Sequence, residues 1–230
     1  MARNGTEQLA KDLSKGQKTR EEIVDRALPM AAVGGLGAIS IGRLAKEMRM
    51  SKSGLFAHFG SKENLDAAIV DSARAVFLEH ILAPIETAGL EGIERVWALC
   101  DNWLQFVEKR VLPGGYFFTG AFFQYAGQNE TIPTEITQIM RDCINTLRAA
   151  IAQARWLREF PLTTNVTRTA LELHSILIGA QWAFLMGYTS QNRPRLAILA
   201  KLAILATDKI PVSAFESERT WQQYLETKRA

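Results

Sequence analysis

The sequence predicts an all-α fold, with an N-terminal domain of three helices and a larger, helical C-terminal domain. Apolar residues recur at helical spacing in one segment after another, and this period is the main sequence signal for amphipathic helices. From Leu90 onward there is no alternating strand pattern and no internal repeat. Near residue 50, a three-residue turn separates two short helical segments, which is typical of a helix-turn-helix.

The apolar spacing around this turn defines the two helices. Ile41, Leu44 and Ala45 follow the i, i+3, i+4 pattern of one buried face, and Leu55 and Phe59 repeat the i, i+4 spacing. Helices joined by so short a turn must cross at a steep angle. In DNA-binding proteins this geometry places one helix across the DNA backbone and the other in the major groove.

The remaining side chains of this stretch suit contact with DNA. They are small, cationic or hydrogen-bonding, and such groups can approach base edges and phosphates closely. Ser51 is placed to cap the second helix, and Lys62 opens the next helix, where it is predicted to bind a phosphate together with the helix N-terminus. The predicted DNA-binding residues are Ser40, Arg43, Arg49, Ser51, Lys52, Ser53, Gly54, Ala57, His58 and Lys62.

Residues 55–62 read L-F-A-H-F-G-S-K. This run resembles the L-Y-x-H-F-x-S/N-K motif of the tetracycline-repressor (TetR) family, and the similarity to the DNA-binding domain of that family extends over residues 23–65. The motif is highly specific, whereas the rest of the chain is similar to the family only in being helical and of suitable length. The resemblance implies a DNA-binding N-terminal domain and a body that contains an effector pocket.

Two positions depart from the family pattern. The family's tyrosine, which usually contacts a phosphate, is Phe56 here, so that hydroxyl contact cannot be made. The turn between the two helices usually carries glycine where this chain has Arg49. If the backbone there requires positive φ, arginine costs about 1 kcal/mol, but its charge would lie beside the DNA backbone.

Charge and composition agree with a DNA-binding domain at the N-terminus. The net charge of +3 comes from residues 1–75, since the remainder contains equal numbers of acidic and basic side chains. We expect a cytoplasmic protein without a membrane segment, because no signal peptide is visible and the longest apolar stretch, residues 176–186, is too short to span a bilayer. Cys100 and Cys143 lack partners at metal-ligand spacing, so we predict no metal, no cofactor and no disulfide.

The pattern also predicts domain boundaries. Residues 1–16 show no clear period and are predicted to be a flexible arm. The helix-turn-helix domain is predicted at 17–65, with its first helix ended by Gly34 and Gly35, and the helix that starts at 62 continues as a linker to about residue 83. Residues 84–230 form the predicted effector-binding and dimerisation domain.

Aromatic residues crowd the middle of the chain. Such residues can simply fill a core, but together with Gly-rich turns and few polar neighbours they favour a cavity for an apolar or aromatic ligand. The predicted pocket residues are Trp103, Phe106, Phe118, Phe122, Tyr125, Cys143, Leu147, Leu177 and Gln181.

The last two long helices are apolar on nearly every face. Helices of this kind must be buried on every face, and in a body of this size a second copy would cover part of their surface, in a four-helix dimer bundle. The predicted interface residues are Leu173, Ile178, Trp182, Leu185, Leu199, Leu202 and Leu205.

These features together predict a DNA-binding transcriptional regulator. The hypothesis is a repressor whose homodimer binds a palindromic operator on double-stranded DNA and is released by a small apolar or aromatic effector. One alternative is an adaptor of the same fold that does not bind DNA. The other is a small helical enzyme, which we do not expect, because His58, His80 and His174 have no carboxylate or nucleophile partner close in sequence.

Overall fold

The structure is a computed structural model that describes residues 2–114, 117–125, 131–188, 192–207 and 209–229. Within these ranges it contains helices and no strand, which confirms the predicted all-α class. No helix in the described ranges is long and apolar enough to cross a membrane. The chain divides into two compact units: unit 1 comprises Met1–Val76 and Leu112–Thr137, and unit 2 comprises Phe77–Val111 and Gln138–Ala230.

The helices are numbered in chain order, with 3₁₀ turns at Leu36–Ala38 and Val212–Phe215. Their bounds are α1 (Ala2–Gly34), α2 (Ile41–Glu47), α3 (Lys52–Phe59), α4 (Lys62–Ile81), α5 (Ala83–Thr87), α6 (Gly92–Glu108), α7 (Phe117–Tyr125), α8 (Thr131–Trp156), α9 (Val166–Leu185), α10 (Asn192–Leu205) and α11 (Glu218–Arg229).

In unit 1, α1 carries the core at the spacing that its sequence predicts. Ile23, Ala27 and Ala31 are buried at i, i+4, i+8, and the helix ends where Gly35 adopts a φ of 76°. The start of α1 differs from the prediction, because residues 2–16, expected to be flexible, continue the helix to Ala2. This segment is rich in Ala, Leu, Glu, Gln and Lys, which are good helix formers.

Unit 1 also contains α7 and the loop before it, which we had assigned to the C-terminal domain. The glycines of this region show how closely the segments pack. A Cβ atom on Gly37 would lie 2.5 Å from the side-chain amide nitrogen of Gln124, and one on Gly114 would lie 2.2 Å from the carbonyl oxygen of Ala32. The predicted boundary is therefore wrong for residues 112–137, since glycine contacts between segments distant in sequence are not visible in a hydrophobic period.

Unit 2 is built around α6, α9 and α10, which pack against one another. The C-terminal segment belongs to this core, because the indole of Trp221 on α11 is fully buried. It meets Trp97 edge-on, with ring centroids 5.9 Å apart, and stacks on Phe215 at 5.1 Å. Residues 211–229, whose role the sequence left open, thus complete the hydrophobic core of unit 2.

A buried arginine joins three helices of unit 2. The guanidinium of Arg195 on α10 donates to Asp101 at 2.6 Å and to Glu108 at 2.5 and 3.2 Å, and Glu218 on α11 lies 3.8 Å away. A buried ion pair specifies geometry more than it adds stability. These bonds therefore set the register of α10 against α6.

Candidate functional site

The turn between α2 and α3 has the hydrogen bonds of a Schellman motif. The amide of Met50 donates to the carbonyl of Ala45 at 2.9 Å, and the amide of Arg49 donates to Lys46 at 3.2 Å. This motif needs a left-handed residue just after the helix, and Arg49 fills that position with a φ of 54°. The backbone at Arg49 therefore has the positive φ at which an arginine residue is strained.

Serine hydroxyls cap both helices of the helix-turn-helix. The side chain of Ser40 accepts from the amide of Arg43 at 3.1 Å, and that of Ser51 accepts from the amide of Gly54 at 3.0 Å. The hydroxyl of Ser40 keeps its own proton, which can still be donated to a phosphate oxygen, and the hydroxyl of Ser51 lies 3.2 Å from that of Ser53. The predicted cap at Ser51 is confirmed. Gly54 takes part in this cap through its backbone amide, which donates the hydrogen bond.

Four exposed side chains form one face of α3, at the spacing i, i+1, i+4, i+5. His58, predicted for this face, is half-buried, because it follows the buried Leu55 by three residues and leans toward the core. Phe56, which we had treated only as a lost phosphate contact, is 46% exposed and belongs to the face. The outward face of α3 consists of Lys52, Ser53, Phe56 and Ala57.

Exposed cationic side chains on α2 and in the turn after it lie close in sequence to the outward face of α3. Arg43, Lys46 and Arg49 are all exposed. The side chain of Lys52 extends toward α2, since a Cβ atom on Gly42 would lie 3.0 Å from its Cε and 3.4 Å from its Nζ. Lys46, which is not among the predicted residues, follows Arg43 by three positions on the same helix.

Helix α1 fixes the orientation of this surface through two contacts. The guanidinium of Arg20 lies 5.0 Å from the ring centroid of Phe59 on α3, a cation–π contact. Arg26 forms an ion pair with Glu47 on α2. Both helices of the helix-turn-helix are thus tied to α1.

Lys62 is placed differently from the prediction. Its ammonium donates to the carboxylate of Asp66, one turn later on α4, and to the carbonyl of Leu36 at 3.3 Å. Asp66 is 1% exposed and also accepts from the hydroxyl of Tyr125 on α7. The ammonium is therefore engaged inside unit 1, because a buried carboxylate needs a cationic partner, and the predicted phosphate contact is not supported.

The pKa values in this cluster follow from burial. Burial raises the pKa of Asp66, while hydrogen bonds from Lys62 and Tyr125 oppose that rise. Burial, followed by the bond to Asp66, raises the pKa of Tyr125 well above its ordinary range. The tyrosine therefore stays protonated and continues to donate to Asp66.

Replacing Arg49 by glycine is expected to stabilise unit 1 by about 0.5 to 1 kcal/mol. The left-handed conformation costs a side-chain-bearing residue roughly 1 to 2 kcal/mol, and the greater freedom of glycine in the unfolded chain takes back part of that gain. Urea unfolding followed by circular dichroism measures the change. Arg49→Ala is the control, since it removes the same charge but keeps the strain, and equal stability of the two variants would contradict the explanation.

The predicted pocket residues lie in both units. Phe118, Phe122 and Tyr125 belong to α7 in unit 1, and the other six lie on α6, α8 and α9 in unit 2. Within unit 2, Phe77 contacts Trp103 and Phe106 edge-on, with ring centroids 5.1 and 5.5 Å apart.

A histidine that the prediction left out belongs to the same aromatic cluster. His174 lies 5.8 Å from the ring of Trp103. Burial lowers the pKa of His174, and its Nε2 atom has no hydrogen-bond partner. In the sequence, the only indication that His174 belongs to this cluster is its position on an apolar helix.

A cavity of about 380 Å³ lies between α6, α9 and α10 of unit 2. Its walls are mostly apolar, and Gln181 is the predicted pocket residue that lines it. The volume is in the range of small-molecule sites. The lining residues include the apolar Leu104, Val107, Ile176 and Phe184 and the polar or charged Glu108, Gln181, Tyr188 and Arg193.

The predicted dimer residues separate into two groups. Leu173, Leu199 and Leu202 are fully buried inside the protomer, so they cannot touch a second copy and the prediction is wrong for them. Trp182 and Leu185 are exposed, and Ile178 and Leu205 are partly exposed. Other exposed residues of α9 and α10 include Leu171, Ser175, Leu196, Ala200 and Ile204, and Met186 is exposed just after α9.

The fold and the exposed helix-turn-helix define a DNA-binding transcriptional regulator. The model for bacterial regulatory proteins of the tetR family matches residues 23–69, and the model for the tetracyclin repressor-like C-terminal domain matches residues 92–194. Together the two models cover more than half of the chain. The protein therefore belongs to the TetR family. No curated protein matches the sequence.

Solved structures share the fold at low sequence identity. A TetR regulator from Chloroflexus aurantiacus has a TM-score of 0.72 at 22% identity, covering 82% of this chain and 94% of that one. A TetR-family regulator from Cytophaga hutchinsonii has a TM-score of 0.72 at 16% identity, with coverages of 84% and 98%. AibR, solved with isovaleryl coenzyme A and operator DNA, has a TM-score of 0.61 at 17% identity, with coverages of 81% and 97%.

Proposed function

We propose that this regulator is a cytoplasmic repressor that binds a palindromic operator as a homodimer and leaves it when a small apolar or aromatic effector binds. The observation that carries the proposal is the outward face of α3, where Lys52 and Ser53 are exposed beside the cations of α2. Basic and hydroxyl side chains around a helix-turn-helix suit the phosphates and base edges of the major groove.

The contacts with DNA divide between two sets of side chains. Arg43, Arg49 and Lys52 hold phosphates, since they are exposed cations on α2, the turn and the start of α3. Ser53 and Ala57 approach base edges from the outward face of α3. Phosphate contacts supply salt-dependent affinity and position the protein, while base contacts supply specificity.

The homodimer forms through α9 and α10 of unit 2. Exposed residues recur at positions 171, 175, 179 and 182 of α9 and at 186 just after it, which is one stripe of a helix. Trp182 is 48% exposed and Ile204 on α10 is 79% exposed. Exposed apolar surface of this extent marks an interaction site, and pairing it with a second copy gives a four-helix bundle that presents two copies of α3 to DNA.

The effector binds in unit 2, in the cavity between α6, α9 and α10. Its apolar walls suit a small apolar or aromatic molecule, and Gln181 provides a hydrogen-bonding group. AibR was solved with an acyl coenzyme A and operator DNA, so this fold accommodates both kinds of ligand in that protein. The effector must prefer the dimer arrangement that cannot bind DNA.

Helix α7 packs against the elements that orient the helix-turn-helix. It precedes α8, which runs from unit 1 into unit 2, and within unit 1 it contacts α1 and the 3₁₀ turn Leu36–Ala38. Its Tyr125 donates to Asp66 on α4. A displacement of α7 would therefore disturb the packing that orients α2 and α3.

A fluorescence-anisotropy titration of Lys52→Ala tests this function. With the DNA flanking the gene, random competitor DNA and two salt concentrations, we expect the dimeric variant to bind about tenfold more weakly. The slope of log affinity against log salt should fall by about 1 for each lost phosphate contact. The wild-type protein should bind as two chains per site and be released by apolar effectors.

The matched control is Lys109→Ala, which removes an exposed lysine of unit 2 and should leave DNA affinity unchanged. Equal affinities for Lys52→Ala and the wild-type protein would contradict the assigned DNA face. Binding that competitor DNA abolishes would favour an adaptor of the same fold.

A further inference from the structure

We infer that Phe56, with Ala57 beside it, reads the methyl groups of thymine in the major groove. This inference rests on the proposed DNA-binding face of α3 and adds the chemistry of base recognition to it. It assigns specificity to a residue that, by comparison with the family motif, has only lost a phosphate contact.

The side chain of Phe56 is apolar but exposed, and this exposure requires a physical explanation. Helix α3 buries Leu55 and Phe59 in the core of unit 1 but leaves Phe56 46% exposed. An exposed aromatic ring gains free energy when a partner removes it from water. Phe56 follows Lys52 by four residues, so the ring lies on the face that carries the proposed DNA contacts.

The outward face of α3 changes character along the helix. Its first turn exposes Lys52 and Ser53, which are polar, and its second turn exposes Phe56 and Ala57, which have no hydrogen-bonding group in their side chains. When α3 lies in the major groove, an apolar part of the DNA is the matching partner for this pair. Among the base edges of the major groove, the C5 methyl group of thymine is that part, and phenylalanine and alanine are suited to contact it.

The size of the effect follows from the burial of one methyl group. Removing one methyl group from water changes affinity roughly fourfold. A symmetric dimer that makes the contact in both half-sites would lose about tenfold or more when both thymines lose their methyl groups.

The test replaces thymine by uracil, which pairs identically but lacks the methyl group. A tight site is first selected from a random duplex library with the full-length wild-type protein, and deoxyuridine is then placed at each thymine in turn. We expect wild-type affinity to fall about fourfold at one or two positions in each half-site. Phe56→Ala should bind the thymine duplex correspondingly more weakly and should no longer distinguish uracil from thymine at the position that Phe56 contacts, whereas a position contacted by Ala57 keeps its preference.

Two comparisons keep the result interpretable. Phe123→Ala removes an exposed phenylalanine from α7 and should keep the full preference for thymine, and circular dichroism checks that each variant is folded. Equal binding of thymine and uracil duplexes by the wild-type protein, or an unchanged preference in Phe56→Ala, would overturn the inference while leaving the proposed function intact. A library that yields no specific site would overturn the proposed function and this inference with it.

Discussion

Replacing Trp221 by alanine is expected to lower the free energy of unfolding of unit 2 by about 3 to 5 kcal/mol. The indole is fully buried and contacts Trp97 on α6 and Phe215 in the 3₁₀ turn Val212–Phe215. Its neighbours come from separate elements that other contacts hold in place, so they cannot collapse into the space that the ring leaves. The cost then includes the cavity as well as the lost burial.

Urea unfolding followed by circular dichroism measures this loss. Trp156→Ala is the matched control, because the same side chain is removed where it is 78% exposed, and we expect a change within about 0.5 kcal/mol. Similar losses in the two variants would contradict the assignment of α11 to the core.

The C-terminal segment shows what a hydrophobic period can and cannot predict. The spacing of Phe215, Trp221, Tyr224 and Leu225 is compatible with a short helix packed on the body, and the structure has the helix α11 there. The partner Trp97 lies more than a hundred residues earlier in the sequence. No local pattern identifies a contact over that separation, so the role of the segment could only be seen in the fold.

The helix-turn-helix was predicted more completely because local interactions determine it. Ser51 caps α3 within three residues, and the left-handed conformation of Arg49 follows from the end of α2. Side-chain direction was harder to predict, since His58, predicted for the DNA-facing side, is half-buried, while Phe56, absent from the predicted contacts, is exposed. One residue along a helix turns the side chain by about 100°, so a small error in the assumed buried face has this effect.

The dimer prediction shows a related limit. Helices α9 and α10 are apolar on several faces, so hydrophobicity alone does not tell which face meets the core of the protomer. Leu173 and Leu202, predicted for the interface because their helices are apolar nearly all round, lie inside the protomer, whereas Ile204 is exposed. Small residues at 175, 179 and 200 mark the exposed side, and this spacing was the signal available in the sequence.

Replacing Lys62 by methionine is expected to destabilise unit 1 by about 3 kcal/mol at neutral pH. Asp66 is 1% exposed, and without Lys62 its carboxylate would keep the hydroxyl of Tyr125 but lose its cation. Burial already raises the pKa of Asp66 against the effect of Lys62, so the variant raises that pKa further. In the folded variant, Asp66 becomes protonated as the pH falls through its raised pKa, and the neutral carboxyl no longer needs a cation. The destabilisation relative to the wild-type protein should therefore shrink as the pH falls through that pKa.

The double variant Lys62→Met with Asp66→Asn separates the two possible roles of Lys62. A neutral amide removes the buried charge and can still accept from Tyr125, so most of the lost stability should return in urea unfolding. Because Lys62 is held inside unit 1, we expect the refolded double variant to bind operator DNA within about threefold of the wild-type protein, with an unchanged salt slope. A folded double variant that binds more weakly, with a slope reduced as in Lys52→Ala, would instead show that Lys62 reaches a phosphate in the complex.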